Sequence, residues 1–212
     1  MIKINEIYKS IQGESSKAGL PCVFVRLTYC NLRCTYCDSV YAFYDGKEMS
    51  IFQIIDEVKK YNCKLVEITG GEPLFQNESI DLMKQLCDEG FDVMLETSGS
   101  LSIKDIDARV KIIMDLKCPS SKMMKKNLYE NIEFLKPTDE IKFVIGNRED
   151  YDWSKKIISD YRLNEKCEIL FSVVFEQLKP VTLVEWILED NLNVRYQLQM
   201  HKYIWDPKQK GV

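Results

Sequence analysis

Residues 26–46 read "RLTYCNLRCTYCDSVYAFYDG" and overlap the short apolar run "CVFVRL" (22–27). The run has the β-branched and aromatic content of a strand. It leads into a polar loop with Cys30, Cys34 and Cys37 at C-x₃-C-x₂-C spacing. A strand that ends in a chemically loaded loop sets the pattern to look for elsewhere.

The pattern repeats. "KLVEIT" (64–69), "FDVMLET" (91–97), "VKIIMDLK" (110–117), "EIKFVIG" (140–146), "CEILFSVVF" (167–175) and "VRYQLQM" (194–200) read as strands. Between them, "SIFQIIDEVKKY" (50–61) carries Ile51, Ile54, Ile55 and Val58 at helical spacing, opened by a Ser50/Gln53 capping box. "SIDLMKQLCDEG" (79–90), stopped by Gly90, "NLYENIEFLK" (127–136), "EDYDWSKKIISDYR" (149–162) and "TLVEWILEDN" (182–191) also read as helices. Alternation of this kind implies parallel βαβ units of one hand. A closed eight-unit barrel typically needs about 250 residues. With 212 residues, the expected α/β fold is an incomplete, TIM-like β/α barrel, in a single domain over 1–212. "TGGEP" (69–73), "ETSG" (96–99) and "DLKCPSSK" (115–122) then share the carboxyl edge of the sheet with the cysteine loop. Folds of this class build their sites on that edge.

Composition narrows the function. Net charge is −4, with 45% hydrophobic and 29% charged residues. No basic face for nucleic acid is implied. No apolar run approaches a membrane span, and "MIKINEIYKSIQGE" lacks a signal peptide's apolar core. A cytoplasmic protein is expected, in which eight cysteines stay reduced and a cluster of them suggests metal or redox chemistry.

Three clustered thiols are one short of a structural zinc site. The single histidine, His201, is distant in sequence, and Cys22, Cys63, Cys87, Cys118 and Cys167 are isolated. An iron–sulfur cluster offers another use: four cysteines fill four irons, and three leave one iron open to a small molecule. A three-cysteine zinc site and a chance grouping of thiols are the competing readings.

C-x₃-C-x₂-C with Tyr36 before the last cysteine, followed by Gly70-Gly71-Glu72-Pro73 at a strand end, resembles the radical S-adenosylmethionine superfamily. "SIQGES" (10–15), "FVRL" (24–27), "CDS" (37–39) and "QMHKYIW" (199–205) extend the resemblance to the 7-carboxy-7-deazaguanine synthase family over nearly the whole chain. The resemblance implies a 4Fe–4S cluster on Cys30, Cys34 and Cys37, with S-adenosyl-L-methionine on the open iron as radical source. It implies conversion of 6-carboxy-5,6,7,8-tetrahydropterin to 7-carboxy-7-deazaguanine with ring contraction and loss of ammonia, on the way to queuosine and related deazapurines. A Mg²⁺ requirement, a homodimer and an electron donor such as flavodoxin or ferredoxin come with it.

Residue by residue, the resemblance has Ile11, Gln12 and Gly13 hold the pterin through backbone groups. Arg26 faces the substrate carboxylate, which a guanidinium can engage bidentately. Thr69 contacts substrate and Gly71 contacts S-adenosylmethionine. Tyr36, Cys37 and Asp38 match the turn around the adenine. Asp115, Leu116 and Lys117 match a second cofactor segment, which reads Ser-Pro-Lys in many relatives, so only Lys117 is retained. Ser39 matches a Mg²⁺-binding hydroxyl that is often Thr. The terminal Val212 matches an end that can lie over the substrate. Glu14, Glu72 and Glu96 are candidate cofactor or positioning groups.

Two rivals arise from the same residues. A glycyl-radical-enzyme activase would share the cysteines but act on a protein. A non-catalytic iron–sulfur module would bind the cluster without cleaving S-adenosylmethionine.

Overall fold

A computed structural model describes every residue of the chain except Lys208. The sheet is assembled from β1 (Ile2–Ile11), β2 (Pro21–Leu27), β3 (Lys47–Met49), β4 (Leu65–Gly70), β5 (Asp92–Thr97), β6 (Lys111–Asp115), β7 (Glu140–Ile145), β8 (Glu168–Val173) and β9 (Arg195–Tyr196). The α-helices are α1 (Ile51–Lys60), α2 (Glu78–Asp88), α3 (Arg148–Asp160), α4 (Pro180–Glu189) and α5 (His201–Ile204). Strand order is β3-β1-β2-β4-β5-β6-β7-β8-β9, all parallel from β2 onward, with β1 antiparallel to both neighbours. β3 and β9 stand at the two edges and do not pair, so the barrel is open.

Strand parity divides the sheet into two faces. Val23, Val25, Leu27, Val66, Ile68, Val93, Leu95, Ile112, Met114, Ile141, Phe143, Ile145, Ile169 and Phe171 belong to one large buried cluster with Ile54, Ile55 and Val58 of α1 and Leu82, Met83 and Leu86 of α2. This is the outer, helix-covered face. The opposite parity forms the inner face. Its lower layer is apolar: Cys22, Phe24, Leu65, Met94 and Ile113 make a second, separate cluster, against which Tyr8 packs. Tyr8 and Phe24 stack with ring centroids 5.1 Å apart. Two residues higher on each strand the chemistry changes. Arg26, Thr69, Glu96 and Asp115 stand above Phe24, Glu67, Met94 and Ile113, and Lys142 stands beside Asp115 in the β6–β7 register.

The expected capping box on α1 forms, with Gln53 N donating to Ser50 Oγ (3.2 Å) and Ser50 N to Gln53 Oε1 (2.8 Å). Three segments differ from expectation. Residues 2–11 form the longest strand, which its alternation conceals because the register shifts between Ile4 and Glu6. Residues 127–136 give a 3₁₀ helix over Tyr129–Phe134 rather than an α-helix. There the buried Asn131 side chain accepts from Ile103 N (3.1 Å) and donates to Leu101 O (2.8 Å), tying the segment to the preceding crossover. Pro137 then disfavours a helical residue just before it. Of residues 194–200 only Arg195–Tyr196 pair as strand.

Candidate functional site

The loop after β2 is held by the ends of the neighbouring strands. Tyr29 O accepts from Glu72 N (2.8 Å), Leu27 O from Gly71 N (3.3 Å) and Ser120 O from Thr35 Oγ1 (2.7 Å). Gly71 is required by this approach: a Cβ there would sit 2.1 Å from Tyr29 O and 2.7 Å from Cys30 Cβ. Glu72 fastens the same junction. Its buried carboxylate accepts from Thr97 Oγ1 (2.9 Å), Ser98 N (2.8 Å) and Leu74 N (3.1 Å). With those bonds made, Glu72 locks "TGGEP" to "ETSG" and does not line the cavity.

That cavity, about 430 Å³, opens over the inner face and lies within the size range of small-molecule sites. Cys30, Cys34 and Cys37 line it, as do Ile11, Gln12, Gly13, Arg26, Tyr36, Asp38, Ser39, Thr69, Gly71, Asp115, Lys117 and Val212. The sequence reading is corrected at Leu116. Its side chain is fully buried in the outer cluster, because its parity places it behind the sheet, and its N–H donates to Lys142 O (2.9 Å) in the ladder.

Some of the assembled groups already have partners. Arg26 Nε lies 2.7 Å from Glu6 Oε1 and its Nη2 donates to Tyr8 Oη (2.8 Å). Gln12 N and O both bond within the 12–20 loop (2.8 Å each), and its side-chain amide donates to Glu67. Gly13 O accepts from Met200 N (3.0 Å). The backbone of Gln12 is therefore occupied, and Gly13 and Ile11 are the better placed of the three to meet a ligand through the main chain.

Burial pushes the three cysteine thiols up, Cys34 to about 11, while the Lys117 ammonium opposes that rise at Cys30, Cys34 and Cys37. Lys117 bonds Asp115 Oδ2 (2.8 Å). Among the described residues no trio of His, Cys, Asp or Glu closes on a single metal ion. A four-iron cluster gives each thiolate its own iron and so holds the three apart. Two buried polar atoms on the cavity's residues, Tyr36 Oη and Asp115 Oδ1, have no hydrogen-bond partner among the described residues, and both suit a polar ligand beside the cysteines. The donor set and these orphaned atoms fit a thiolate-bound cluster with a polar small molecule next to it.

Sequence reasoning named Glu14, Glu96 and Asp115 but missed Lys142 and Glu67, which join them in a charged array on the inner face. Lys142, 3% exposed, meets Glu14 Oε2 (2.9 Å), Asp115 Oδ2 (3.8 Å) and Glu96. Burial works against its charge, but Glu14, Glu96 and Asp115 outweigh burial and hold its pKa well above the ordinary lysine value. Glu67, 2% exposed, lines the cavity beside Glu96. The available signal was a charged residue at alternate positions within otherwise apolar strands: "LVEIT", "VMLET", "IIMD" and "EIKFVI".

The carboxyl-terminal segment roofs one side. Ser15 N donates to Gln197 Oε1 (2.8 Å), Gln199 Nε2 donates to Glu14 Oε1 (3.0 Å), and His201 packs against Gly13. Lys202 Nζ bonds Asp38 Oδ2 (2.9 Å), and Ser39 Oγ donates to Asp38 Oδ1 (3.0 Å). Burial disfavours the Asp38 charge, yet Lys202 and Ser39 hold its carboxyl well below the usual range. Lys210 Nζ stands 4.3 Å from the Tyr41 ring centroid, which brings the last residues near Arg26. No helix among the described residues is long and apolar enough to cross a membrane.

Comparison with known proteins agrees with this geometry. The radical SAM superfamily profile matches residues 25–166. The 7-carboxy-7-deazaguanine synthase of Chlorobaculum tepidum is 45% identical, over 100% of this chain and 97% of its own length. That of Koribacter versatilis is 44% identical, with 100% of both chains covered. In fold, the chain is similar to the crystal structure of QueE from Escherichia coli, with TM-score 0.76, 20% identity and coverage of 92% and 93% of the two chains. Archaeal TYW1 is a more distant structural match, with TM-score 0.57, 14% identity and coverage of 84% and 74%.

Proposed function

The chain belongs to the 7-carboxy-7-deazaguanine synthase family of radical S-adenosylmethionine enzymes, and we propose from that premise how its own residues carry the reaction. The substrate is 6-carboxy-5,6,7,8-tetrahydropterin and the products are 7-carboxy-7-deazaguanine and ammonia, in deazapurine biosynthesis. The observation that carries this reading is a single one. The three cysteines, the strand-end glycine and a polar inner face all line one cavity in a chain that matches these synthases end to end.

Cys30, Cys34 and Cys37 would hold a 4Fe–4S cluster. When bound, the cluster and S-adenosylmethionine supply the radical that removes hydrogen from the substrate. Tyr36, Asp38, Gly71, Asp115 and Lys117 are assigned to the cofactor side. Gly71 acts by letting the β4 end meet the cysteine loop, and Lys117 offsets the negative charge of the ligating thiolates. Arg26 is assigned to the substrate carboxylate: Nη1 is the edge of its guanidinium that makes no hydrogen bond among the described residues. Glu6 and Tyr8 fix its plane. Thr69, Ile11, Gly13 and Val212 complete the substrate side. Ser39 is assigned to Mg²⁺, and since one hydroxyl is a small part of an octahedral shell, substrate oxygens and water supply the rest. A flavodoxin- or ferredoxin-type reductant, a homodimer and a cytoplasmic setting belong to the same proposal.

The test is anaerobic incubation of the reconstituted protein with carboxypterin, S-adenosylmethionine, reductant and Mg²⁺, read by mass spectrometry. Formation of 7-carboxy-7-deazaguanine is expected. 5′-Deoxyadenosine formed only in the presence of a protein partner would support an activase instead. In Ser39→Ala, product yield should lose its response to Mg²⁺ while cluster absorbance stays. An unchanged Mg²⁺ response would place the ion elsewhere.

A further inference from the structure

Two carboxyl groups stand side by side on the inner face, and neither the cluster nor the carboxylate-binding arginine uses them. Glu67 lies opposite Met94 in the β4–β5 register, and Glu96 lies two residues beyond Met94 on the same side of β5. Both line the cavity. Their surroundings differ. Glu96 is salt-bridged to the buried ammonium of Lys142. Glu67 has no salt bridge among the described residues. Its one hydrogen-bond donor among the described residues is the neutral amide of Gln12, which reaches Oε2. Paired carboxyls in such unequal settings divide into an acid and a base.

We propose that Glu67 and Glu96 are the acid–base pair that expels ammonia after ring contraction, an inference that rests on the function proposed above. Ammonia loss needs two proton movements. The Glu96 carboxylate takes the proton of a C–H bond adjacent to the amine-bearing carbon. The electrons of that bond form a carbon–carbon double bond, and the C–N bond breaks. The Glu67 carboxylic acid gives its proton to the departing nitrogen, which leaves as ammonia. Glu96 is then protonated and Glu67 ionised. One proton returned from Glu96 to Glu67 restores the starting state, and no external oxidant or reductant enters.

Electrostatics supports the assignment of roles. Burial first, and the neighbouring Glu96 charge second, hold the Glu67 carboxyl well above the ordinary value of 4.5. The groups facing Glu67 are Glu14, Glu96 and Lys142 across the cavity and Tyr8 and Cys22 from the lower layer. Those facing Glu96 are Lys142, Glu67 and His201. Among the described residues Lys142 is the one cation in direct contact with the pair, and it bonds Glu96. Glu67 is therefore the member that keeps the proton.

The experiment is single-turnover analysis of the cluster-loaded wild type and Glu67→Gln. 5′-Deoxyadenosine, ammonia and pterin-derived masses are followed from the same reaction. Loss of general-acid help is expected to slow ammonia release roughly 10²-fold. 5′-Deoxyadenosine should form at the wild-type rate, and a species heavier than the product by one ammonia should accumulate. The wild-type rate of ammonia release should fall on the alkaline side as Glu67 ionises, and this limb should be absent in Glu67→Gln. Ammonia release within twofold of wild type overturns the proposal. So does parallel loss of ammonia and 5′-deoxyadenosine, which would give Glu67 a binding or structural role. If Glu67→Gln does not load its cluster, Glu96→Gln carries the same test with the same accumulating species. A wild type that makes no deazaguanine would instead refute the functional reading.

Discussion

Lys142 and Phe143 are consecutive residues of β7, both buried, and they belong to different parts of the molecule. Phe143 points outward, where its ring meets Trp153 of α3 and Phe171 of β8 edge-on, at 6.0 and 5.6 Å between centroids. Lys142 points inward to Glu14, Glu96 and Asp115. The outer face is a continuous apolar layer under the helices, and its stability comes from area removed from water. The inner face has a floor that is apolar except for Glu67 and, above it, charges that water would otherwise hydrate. A buried lysine with three carboxylates around it is weak evidence for stability, because desolvation offsets much of the attraction. Its position above the floor, lining the same cavity as the three cysteines, is what a reaction site needs.

The cysteines give the largest contrast. Cys30→Ala, Cys34→Ala or Cys37→Ala should abolish both iron–sulfur absorbance and activity. Cys118→Ala removes a fully buried thiol of the outer cluster and should leave the absorbance intact. Loss of absorbance in Cys118→Ala would break the ligand assignment.

Next in size are the β7 neighbours. Phe143→Ala should cost about 3–5 kcal/mol in urea unfolding. Lys142→Met leaves Glu14, Glu96 and Asp115 without their shared cation and should cost a similar amount, about 3–5 kcal/mol. The two losses should separate with pH. Burial opposes the Glu14 charge, but Lys142 and His201 outweigh it, so the folded-state pKa is depressed below 4.5. A depressed carboxyl adds stability above its unfolded value, and this is lost as pH falls through the folded value. Lys142→Met lacks that contribution at neutral pH, so its deficit should shrink as pH drops below 4.5. The Phe143→Ala deficit should not. A pH-independent Lys142→Met deficit would mean that packing, not charge, sets the cost.

Arg26→Ala should weaken carboxypterin binding by about 2–5 kcal/mol, and Arg26→Lys should not restore it, since a lysine cannot keep Glu6 and Tyr8 while forking onto a carboxylate. Calorimetry with the carboxypterin checks this. Near-normal affinity of Arg26→Ala would remove the role. The smallest effect is expected at Ser50→Ala, which removes one half of the α1 capping box. About 1 kcal/mol of stability should be lost, with activity per folded molecule unchanged.

Much of this was legible in the sequence, and the gaps have physical causes. Apolar runs alternating with amphipathic helices gave the parallel units, and "TYCNLRCTYCDS" after β2 gave the site's edge. β1 stayed hidden because its register shift moves the outer-face positions from the even-numbered Ile2 and Ile4 to the odd-numbered Ile7. Leu116 was assigned by segment, but parity along β6 turns it away from the cavity while Asp115 faces it. Glu67 and Lys142 were not singled out, because a charge alternating with apolar residues is also the pattern of a strand with one face to solvent. Only the curl of the sheet, with the 197–202 segment across it, makes that face interior. Glu72 looked like a cofactor group, and its bonds to Thr97 and Ser98 are between strand ends that no local pattern connects.

The claim that function resides on the inner face is tested most directly by turnover per cluster-loaded, folded molecule in Phe143→Ala and Lys142→Met. Product is measured anaerobically below the unfolding temperature of both variants. Phe143→Ala should retain turnover close to wild type despite its lower stability, and Lys142→Met should lose most of its product formation. Equal turnover in the two variants, or the greater loss in Phe143→Ala, would contradict the account.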